Sequence, residues 1–327
     1  MSRASAPRRY RVSVAVSTYE RPDRVARLFD ALGRQTLPAK DFEVVMYDDG
    51  SSEAALQKVR ELSAAAPFPL RLIEGGINRG PATGRNQAWR ATTAPIVAFT
   101  DDDCVPTPGW LGNALAAFDD PAVEVAVGRI EPAPDQLHLL GPFSRTMHAT
   151  DARFFATANC LYRREALTTA NGFDERFRRA AGEDTDLGLR VLEGGGQAIF
   201  VDNALVHHDV RPSSLRAAAR EAWAKWIDLA LVVRKHPRVR RELMYCRVFW
   251  KKPHALLLIA IAGAVAAVWE PYTLVALVPY LWHRLLSAPL SHGSIRPLLT
   301  LPGALLIDAI EIVTMVRSTL RYRTFVL

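Results

Sequence analysis

Short apolar runs alternate with amphipathic stretches over the first two thirds of the chain. Arg11–Ser17 reads RVSVAVS, a β-branched run that predicts a buried strand. Pro22 then suits a first helical turn, and Val25, Leu28, Phe29 and Leu32 recur at helical spacing up to Gly33. Phe42–Asp48 predicts a second strand, Glu53–Ala64 a helix, Leu70–Glu74 a third strand and Gly84–Ala91 another helix. Ile96–Thr100 and Val123–Ile130 predict further strands. Later, Ala156–Tyr162 and Gln197–Val201 have strand character. Asp184–Leu192 predicts a helix that breaks at Gly194-Gly195-Gly196.

Strands alternating with helices predict an α/β fold with a mostly parallel, Rossmann-like sheet. Such sheets bind ligands at the carboxyl ends of their strands. Here those ends read Ser17-Thr18-Tyr19-Glu20, Asp48-Asp49-Gly50-Ser51 and Asp101-Asp102-Asp103, three polar clusters expected to face one crevice.

The pattern then changes. Ser213 or Ser214 can cap a helix holding Leu215, Ala219, Ala222, Trp223, Trp226, Ala230 and Val233, which His236-Pro237 ends. Ala255–Trp269 is wholly apolar, Glu270-Pro271 interrupts, and Tyr272–Trp282 continues. Each half is short for a span of about 20 residues, so together they predict a hairpin with Trp269, Tyr272, Tyr280 and Trp282 near the interfaces. Leu298–Val316 is a third apolar stretch, but Asp308 and Glu311 within it are costly in lipid, so a place along the surface, against the hairpin or in an oligomer contact is open to it beside a third span. The expected organisation is a polar tail over 1–10, a catalytic α/β domain over 11–212, a basic amphipathic juxtamembrane segment over 213–252, and two or three membrane helices over 253–327.

Charge sharpens this division. The 327-residue chain carries a net +7. Arg211–Lys252 alone holds 12 Lys/Arg against Glu221, Asp228 and Glu242; its +9, set against +7 overall, leaves −2 elsewhere. A basic stretch beside apolar segments fits the positive-inside rule and anionic headgroups. No nucleic-acid-binding module accompanies it, so nucleic acid is not an expected partner. Met1–Arg11 has no apolar core segment of the secretory kind, so the catalytic domain is expected on the cytosolic face of the cytoplasmic membrane. The three cysteines, Cys104, Cys160 and Cys246, lack metal or disulfide spacing.

The Asp101-Asp102-Asp103 triplet carries the strongest chemical signal. Three carboxylates after an apolar strand repel one another unless a cation or strong hydrogen bonds hold them. A hard divalent ion that also takes phosphate oxygens meets that need. The triplet belongs to an ordered set: Val16–Pro22, Tyr47–Ser52, Asn78–Asn86 and, later, Gly182-Glu183-Asp184. With this set, residues 11–210 resemble the family 2 glycosyltransferases, which have the GT-A nucleotide-sugar fold.

The resemblance implies roles. Thr18 and Glu20 look like part of the nucleotide-base pocket, with Arg21 and Asp102 also on the donor side. Asp48 resembles the carboxylate that reads the base, and Arg85 is expected near the base or diphosphate. Asp101 and Asp103 match the D-x-D pair, with Asp103 on a Mn²⁺ or Mg²⁺ ion, Asp101 towards ribose and metal, and His208 (or His207) in reach of the same ion. Glu183-Asp184 resembles the E-D pair whose Asp is the general base; an N-cap is the structural reading of the same Asp. Trp110 and Asn159 resemble acceptor-side residues, against core packing as the plainer reading of Trp110. No Q-x-x-R-W motif of the processive members is present.

The implied activity is metal-dependent, inverting transfer of one sugar from a UDP-, dTDP- or GDP-sugar to a hydroxyl of a lipid-linked or cell-envelope glycan. Oligomers are compatible with it. The alternatives are a polyprenyl-phosphate sugar synthase, whose D-A-D-L-Q-H-P run is absent, and a catalytically inactive sugar-nucleotide-binding membrane scaffold.

Overall fold

A computed structural model describes residues 10–287 and 297–327, so the expected tail over 1–10 and the stretch 288–296 fall almost wholly outside it. The chain divides into two units. The first takes residues up to Pro134 and Thr146–Asp209; the second takes Asp135–Arg145 and Val210–Leu327.

The first unit opens with β1 (Val12–Thr18), α1 (Pro22–Gly33), β2 (Phe42–Asp48), α2 (Glu53–Ala64), β3 (Leu70–Glu74), α3 (Pro81–Arg90) and β4 (Ile96–Phe99). These strands form a parallel block, β3-β2-β1-β4, in which Thr18 pairs with Asp48 and Asp48 with Glu74. Their carboxyl ends therefore sit side by side, as the alternation of strands and helices requires. The valines of β1 and β2 are fully buried because helices cover both faces.

The sheet continues with β5 (Cys104–Pro106), α4 (Trp110–Ala116), β6 (Val123–Pro132), β7 (Cys160–Arg163), α5 (Arg164–Thr169), α6 (Glu183–Glu193) and β8 (Gln197–His208). Eight strands run β3-β2-β1-β4-β7-β6-β8-β5. Pairs β4–β7, β6–β7 and β5–β8 are antiparallel, and β6–β8 is parallel. The result is a mixed, half-parallel α/β sheet.

Three local expectations shift. β5 is too short for periodicity to reveal. The strand predicted over Gln197–Val201 runs on to His208, with a register slip opposite Gly128/Arg129. Helix α3 begins at Pro81, three residues before the predicted start.

The second unit holds α7 (Leu215–Lys225), α8 (Leu229–Lys235), α9 (Val239–Glu242), α10 (Lys252–Ala266), a 3₁₀ stretch (Pro271–Leu277), α11 (Val278–Trp282) and α12 (Pro297–Tyr322). Ser214 caps α7 by accepting from Ala217 N–H at 3.2 Å. The predicted single helix over 215–233 breaks at Trp226–Asp228. Leu256, Leu257, Ala260 and Tyr280 form a small core with Leu301, Ala309 and Ile312. Among the described residues, only Leu298–Tyr322 is long and apolar enough to cross a membrane; Lys252–Ala266 is apolar but shorter.

Candidate functional site

The loops after β1, β2 and β4 meet over the Asp101-Asp102-Asp103 turn. Thr18 Oγ1 donates to Asp102 Oδ2 at 2.8 Å, and Arg21 donates to Asp102 Oδ1 at 2.9 Å. Asp102, 3% exposed, thus ties the β1 loop to the acidic turn and has its oxygens occupied. Glu20 adopts φ 56 and turns its carboxylate onto Ser52, accepting from its N–H at 2.5 Å and its hydroxyl at 2.9 Å. It joins the β1 loop to the N-terminus of α2.

Asp48 folds back on its own loop, accepting from Gly50 N–H (3.1 Å), Ser51 N–H (2.8 Å) and Ser51 Oγ (2.7 Å). Asp49 accepts from Arg79 and Gly80 N–H at 2.9 and 2.8 Å, which fixes the loop entering α3.

Asp103 leads into β5, and β5 pairs with the end of β8 so that Cys104 faces His208. His208 Nε2 lies 3.6 Å from Asp103 Oδ1. Its Nδ1 is 2.9 Å from the Asp209 carbonyl, which only accepts, so Nδ1 carries a proton and Nε2 is the nitrogen turned towards Asp103. His207, one residue earlier, pairs with Val105 instead. Of the two histidines, His208 is the one 3.6 Å from Asp103.

Donor atoms of Asp103, Cys104 and His208 lie within 4.8 Å of one another. A divalent ion with bonds of about 2.1 Å holds neighbouring ligands about 3–4 Å apart, so the 3.6 Å gap fits. Oxygen and imidazole suit Mg²⁺ or Mn²⁺ better than a thiol does, and burial pushes the Cys104 thiol well above its ordinary value.

Asp101 turns the other way. Arg85, from α3, donates to Asp101 Oδ1 at 2.8 Å and to Glu183 Oε1 at 2.6 Å. Its side chain is 7% exposed, so the guanidinium is an interior bridge between the acidic turn and the start of α6. Burial alone would raise the Asp101 carboxyl, but the Arg85 charge and hydrogen bond outweigh it and hold it below the ordinary range. Glu183 fares differently. Burial, then the Asp184 charge, push it up to about 7 against the opposing pull of Arg85. Its Oε2 is buried without a hydrogen-bond partner among the described residues.

Gly182 sits at φ 98, a left-handed turn that a side chain would strain, and it starts α6 so that Glu183 points inward. Asp184 is half-buried; its Oδ1 accepts from Thr185 N–H at 2.7 Å. Desolvation raises its pKa above the ordinary value, and backbone hydrogen bonding from Thr185 opposes the rise.

Trp110 and Asn159 lie in the interior, each 0% exposed. Trp110 Nε1 donates to Asn159 Oδ1 at 2.7 Å, while Asn159 Nδ2 donates to the carbonyls of Arg129 (2.8 Å) and Ala204 (2.7 Å). Neither presents a face on which a sugar can stack; they brace the sheet behind the site.

Sequence reasoning missed a basic row. Arg21, Arg24 and Arg27 recur every third residue along α1 and face Asp102, Asp103 and Asp209; Arg24 is 3.3 Å from Asp103 Oδ2 and Arg27 is 2.5 Å from Asp209 Oδ1. The three-residue spacing was the available signal. The acid at 209, beyond β8, was not recognisable as its partner.

An acidic turn faces a histidine at the carboxyl end of the parallel block, the place where sheets of this kind bind ligands. Family models agree: Glycosyl transferase family 2 matches residues 13–170, and Glycosyl transferase family group 2 matches 96–298, more than half of the chain. The chain belongs to the family 2 glycosyltransferases.

It is 30% identical over 219 residues to the pre-mycofactocin glycosyltransferase of Mycobacterium tuberculosis, covering 63% of this chain and 45% of that protein. It is 26% identical over 270 residues to the validoxylamine A glucosyltransferase of Streptomyces hygroscopicus subsp. jinggangensis, covering 72% and 63%. The chain thus spans about half to two thirds of these curated relatives. Among solved structures, a Pyrobaculum calidifontis mannosyltransferase in complex with GDP-Man and Mn²⁺ superposes with TM-score 0.60 at 23% identity, covering 95% of this chain and 87% of that one. S. aureus TarS 1–349 in complex with UDP-GlcNAc gives 0.52 at 17%, covering 96% and 92%. At these identities the likeness establishes the fold.

Proposed function

We propose that the protein transfers one sugar, with inversion, from a nucleotide-sugar donor to a hydroxyl of a lipid-linked or cell-envelope glycan, with a divalent metal. The observation that carries this reading is the Asp103–His208 pair, 3.6 Å apart and oriented to share one ion, beside Asp101 and the Glu183-Asp184 start of α6.

Asp103 and His208 would hold the metal. Bound there, Mn²⁺ or Mg²⁺ supplies positive charge to the departing nucleoside diphosphate. Asp184 takes the acceptor proton as attack proceeds; its raised pKa brings it nearer to neutrality, where a general base is most effective. Arg85 keeps Asp101 ionised and ties it to the helix carrying the base. A direct displacement from the Asp184 side inverts the anomeric carbon. The absence of Q-x-x-R-W supports single transfer over chain extrusion.

The membrane part of the reading rests on the second unit. Its helices expose Ile259, Val265, Val268, Trp269, Tyr272 and Val275, and the net +9 segment over 211–252 precedes them. The protein then acts at the cytosolic face of the cytoplasmic membrane.

The test is calorimetric titration of UDP, GDP and dTDP with and without Mn²⁺. One nucleotide is expected to bind in a metal-dependent way, and Asp103→Ala is expected to abolish the metal dependence. Failure of every nucleotide under every metal condition sinks the transferase reading.

A further inference from the structure

By length and apolarity α12 qualifies as a membrane span. Its side-chain partners argue against a crossing. Asp308, Glu311, Thr314 and Ser318 recur at spacings of three and four and are all buried, so α12 turns a polar stripe inward. Two acids of that stripe, one turn apart, hold the two feet of the α10–α11 hairpin. Glu311 accepts from Lys251 at 2.7 and 2.8 Å and lies 3.0 Å from His254 Nε2, at the start of α10. Asp308 accepts from Tyr280 of α11 at 2.8 Å and from Arg284, just beyond α11, at 3.0 Å. The hairpin therefore departs from α12 and returns to it at one level.

The rest of the stripe holds α7 and α8. Thr314 Oγ1 donates to the Ala222 carbonyl at 3.1 Å, and Ala230 N–H donates to Ser318 Oγ at 3.0 Å. Arg317 stacks 4.2 Å over Trp223, and Tyr322 donates to Asp228 at 2.6 Å. At the other end Gly303 lies against Phe143 and Leu215. Helices α7 and α8 thus accompany α12 from Gly303 to Tyr322, and they bear Arg216, Arg220, Glu221, Lys225, Arg234 and Lys235. A crossing α12 would draw those charges through hydrocarbon, where they are costly.

We propose that α12 lies along the surface of a single leaflet with α7 and α8, and that the α10–α11 hairpin alone dips into the bilayer. Val268, Trp269, Tyr272 and Val275, around its tip, are 70–78% exposed. The 15 residues of α10 rise about 22 Å against a hydrocarbon core of about 30 Å, so the hairpin enters deeply and turns back. The partner is an anionic lipid leaflet, which the +9 segment over 211–252 complements. The two chain ends then share one side of the membrane. This rests on the membrane reading above.

The experiment uses the full chain with protease-cleavable tags before Met1 and after Leu327, expressed in bacteria and prepared as right-side-out and inverted inner-membrane vesicles. Both tags are expected to be cut in the same preparation and protected in the other. Cleavage of the two tags from opposite faces would mean that α12 crosses, overturning the proposal while the membrane reading stands. A protein that stays in the soluble fraction without detergent overturns both. Val265→Glu with Trp269→Glu, assayed on vesicles of neutral and anionic lipid, is expected to cut partition at least tenfold and leave nucleotide binding unchanged. Unchanged partition removes the hairpin as the inserted element and refutes the proposal.

Discussion

Replacing Arg85 with Met tests the interior bridge directly. The guanidinium, 7% exposed, is the shared counter-ion of Asp101 and Glu183, with contacts of 2.8 and 2.6 Å. Met keeps most of the stem volume and removes the charge. Two carboxylates then face each other in a buried setting without a cation. Taking one partner from a buried ion pair costs about 3–5 kcal/mol. For domains of 150–250 residues, each kcal/mol moves the melting temperature by about 2–4 °C, so a fall of about 6–20 °C is expected at pH 7.5. Protonation relieves the clash, because both stranded acids gain pKa once the guanidinium is gone. The deficit should therefore shrink at pH 5.5, and adding Glu183→Gln should restore part of it at pH 7.5. Calorimetric melts of the four combinations decide the matter. A fall below about 2 °C at pH 7.5, or one of equal size at both pH values, would refute the reasoning. Arg60→Ala is the control: Arg60 bonds Glu53 and Glu74 in the open, and its loss should leave the melt nearly unchanged.

Asp184→Asn should lower kcat about 10²–10⁴-fold, with nucleotide affinity kept within a few-fold in calorimetry; equal turnover would remove Asp184 as the base. In the wild type, burial lifts Glu183 from 4.5 to about 7, so between those values the folded state binds a proton that the unfolded chain has lost. Stability should accordingly fall as pH rises through that window and level off above it, and Glu183→Gln should flatten the slope in chemical denaturation. Asn159→Ala strands the Trp110 indole N–H and should cost about 1–3 kcal/mol plus the cavity left by the amide; a neutral result would contradict the bracing role. A Cβ on Gly84 would stand 2.1 Å from Ser17 Oγ, so Gly84→Ala should destabilise by about 1–3 kcal/mol, with partial rescue by Ser17→Ala.

The parallel half of the sheet was legible because β1, β2 and β4 are short apolar runs that end at polar clusters, and β1 and β2 are each followed by a helical period. The antiparallel half was not, since β5 has three residues and β8 slips register midway. The acidic turn and the E-D pair were readable from residue type and order. Their connection was not: Arg85 reaches Glu183 across 98 positions, and no local pattern encodes that. Trp110 looked like a sugar platform because it follows the acidic loop, yet α4 turns it into the core, where Asn159 satisfies its N–H. In the second unit, composition suggested a hairpin and left the third apolar stretch open between a span and a surface helix. The pairing of Asp308 and Glu311 with residues of the hairpin is a tertiary fact, and it reverses the meaning of those acids from a defect in a span to a fastening.

The excursion of Asp135–Arg145 into the second unit has a consequence for synthesis on the ribosome. Arg145 and Arg211 exchange backbone hydrogen bonds at 2.8 Å, Gln136 accepts from Val210 N–H at 2.7 Å, and Phe143 packs on Gly303. Those partners are translated long after the excursion itself. At about 5–20 residues per second, Phe143 waits about 8–30 s for Gly303 to be made. Through that interval β6 and β7 can pair around an open loop whose own partners do not yet exist. A chain cut after β8 would keep that loop for good, with its phenylalanine uncovered, so separate expression of the sheet unit calls for trimming or recoding residues 135–145.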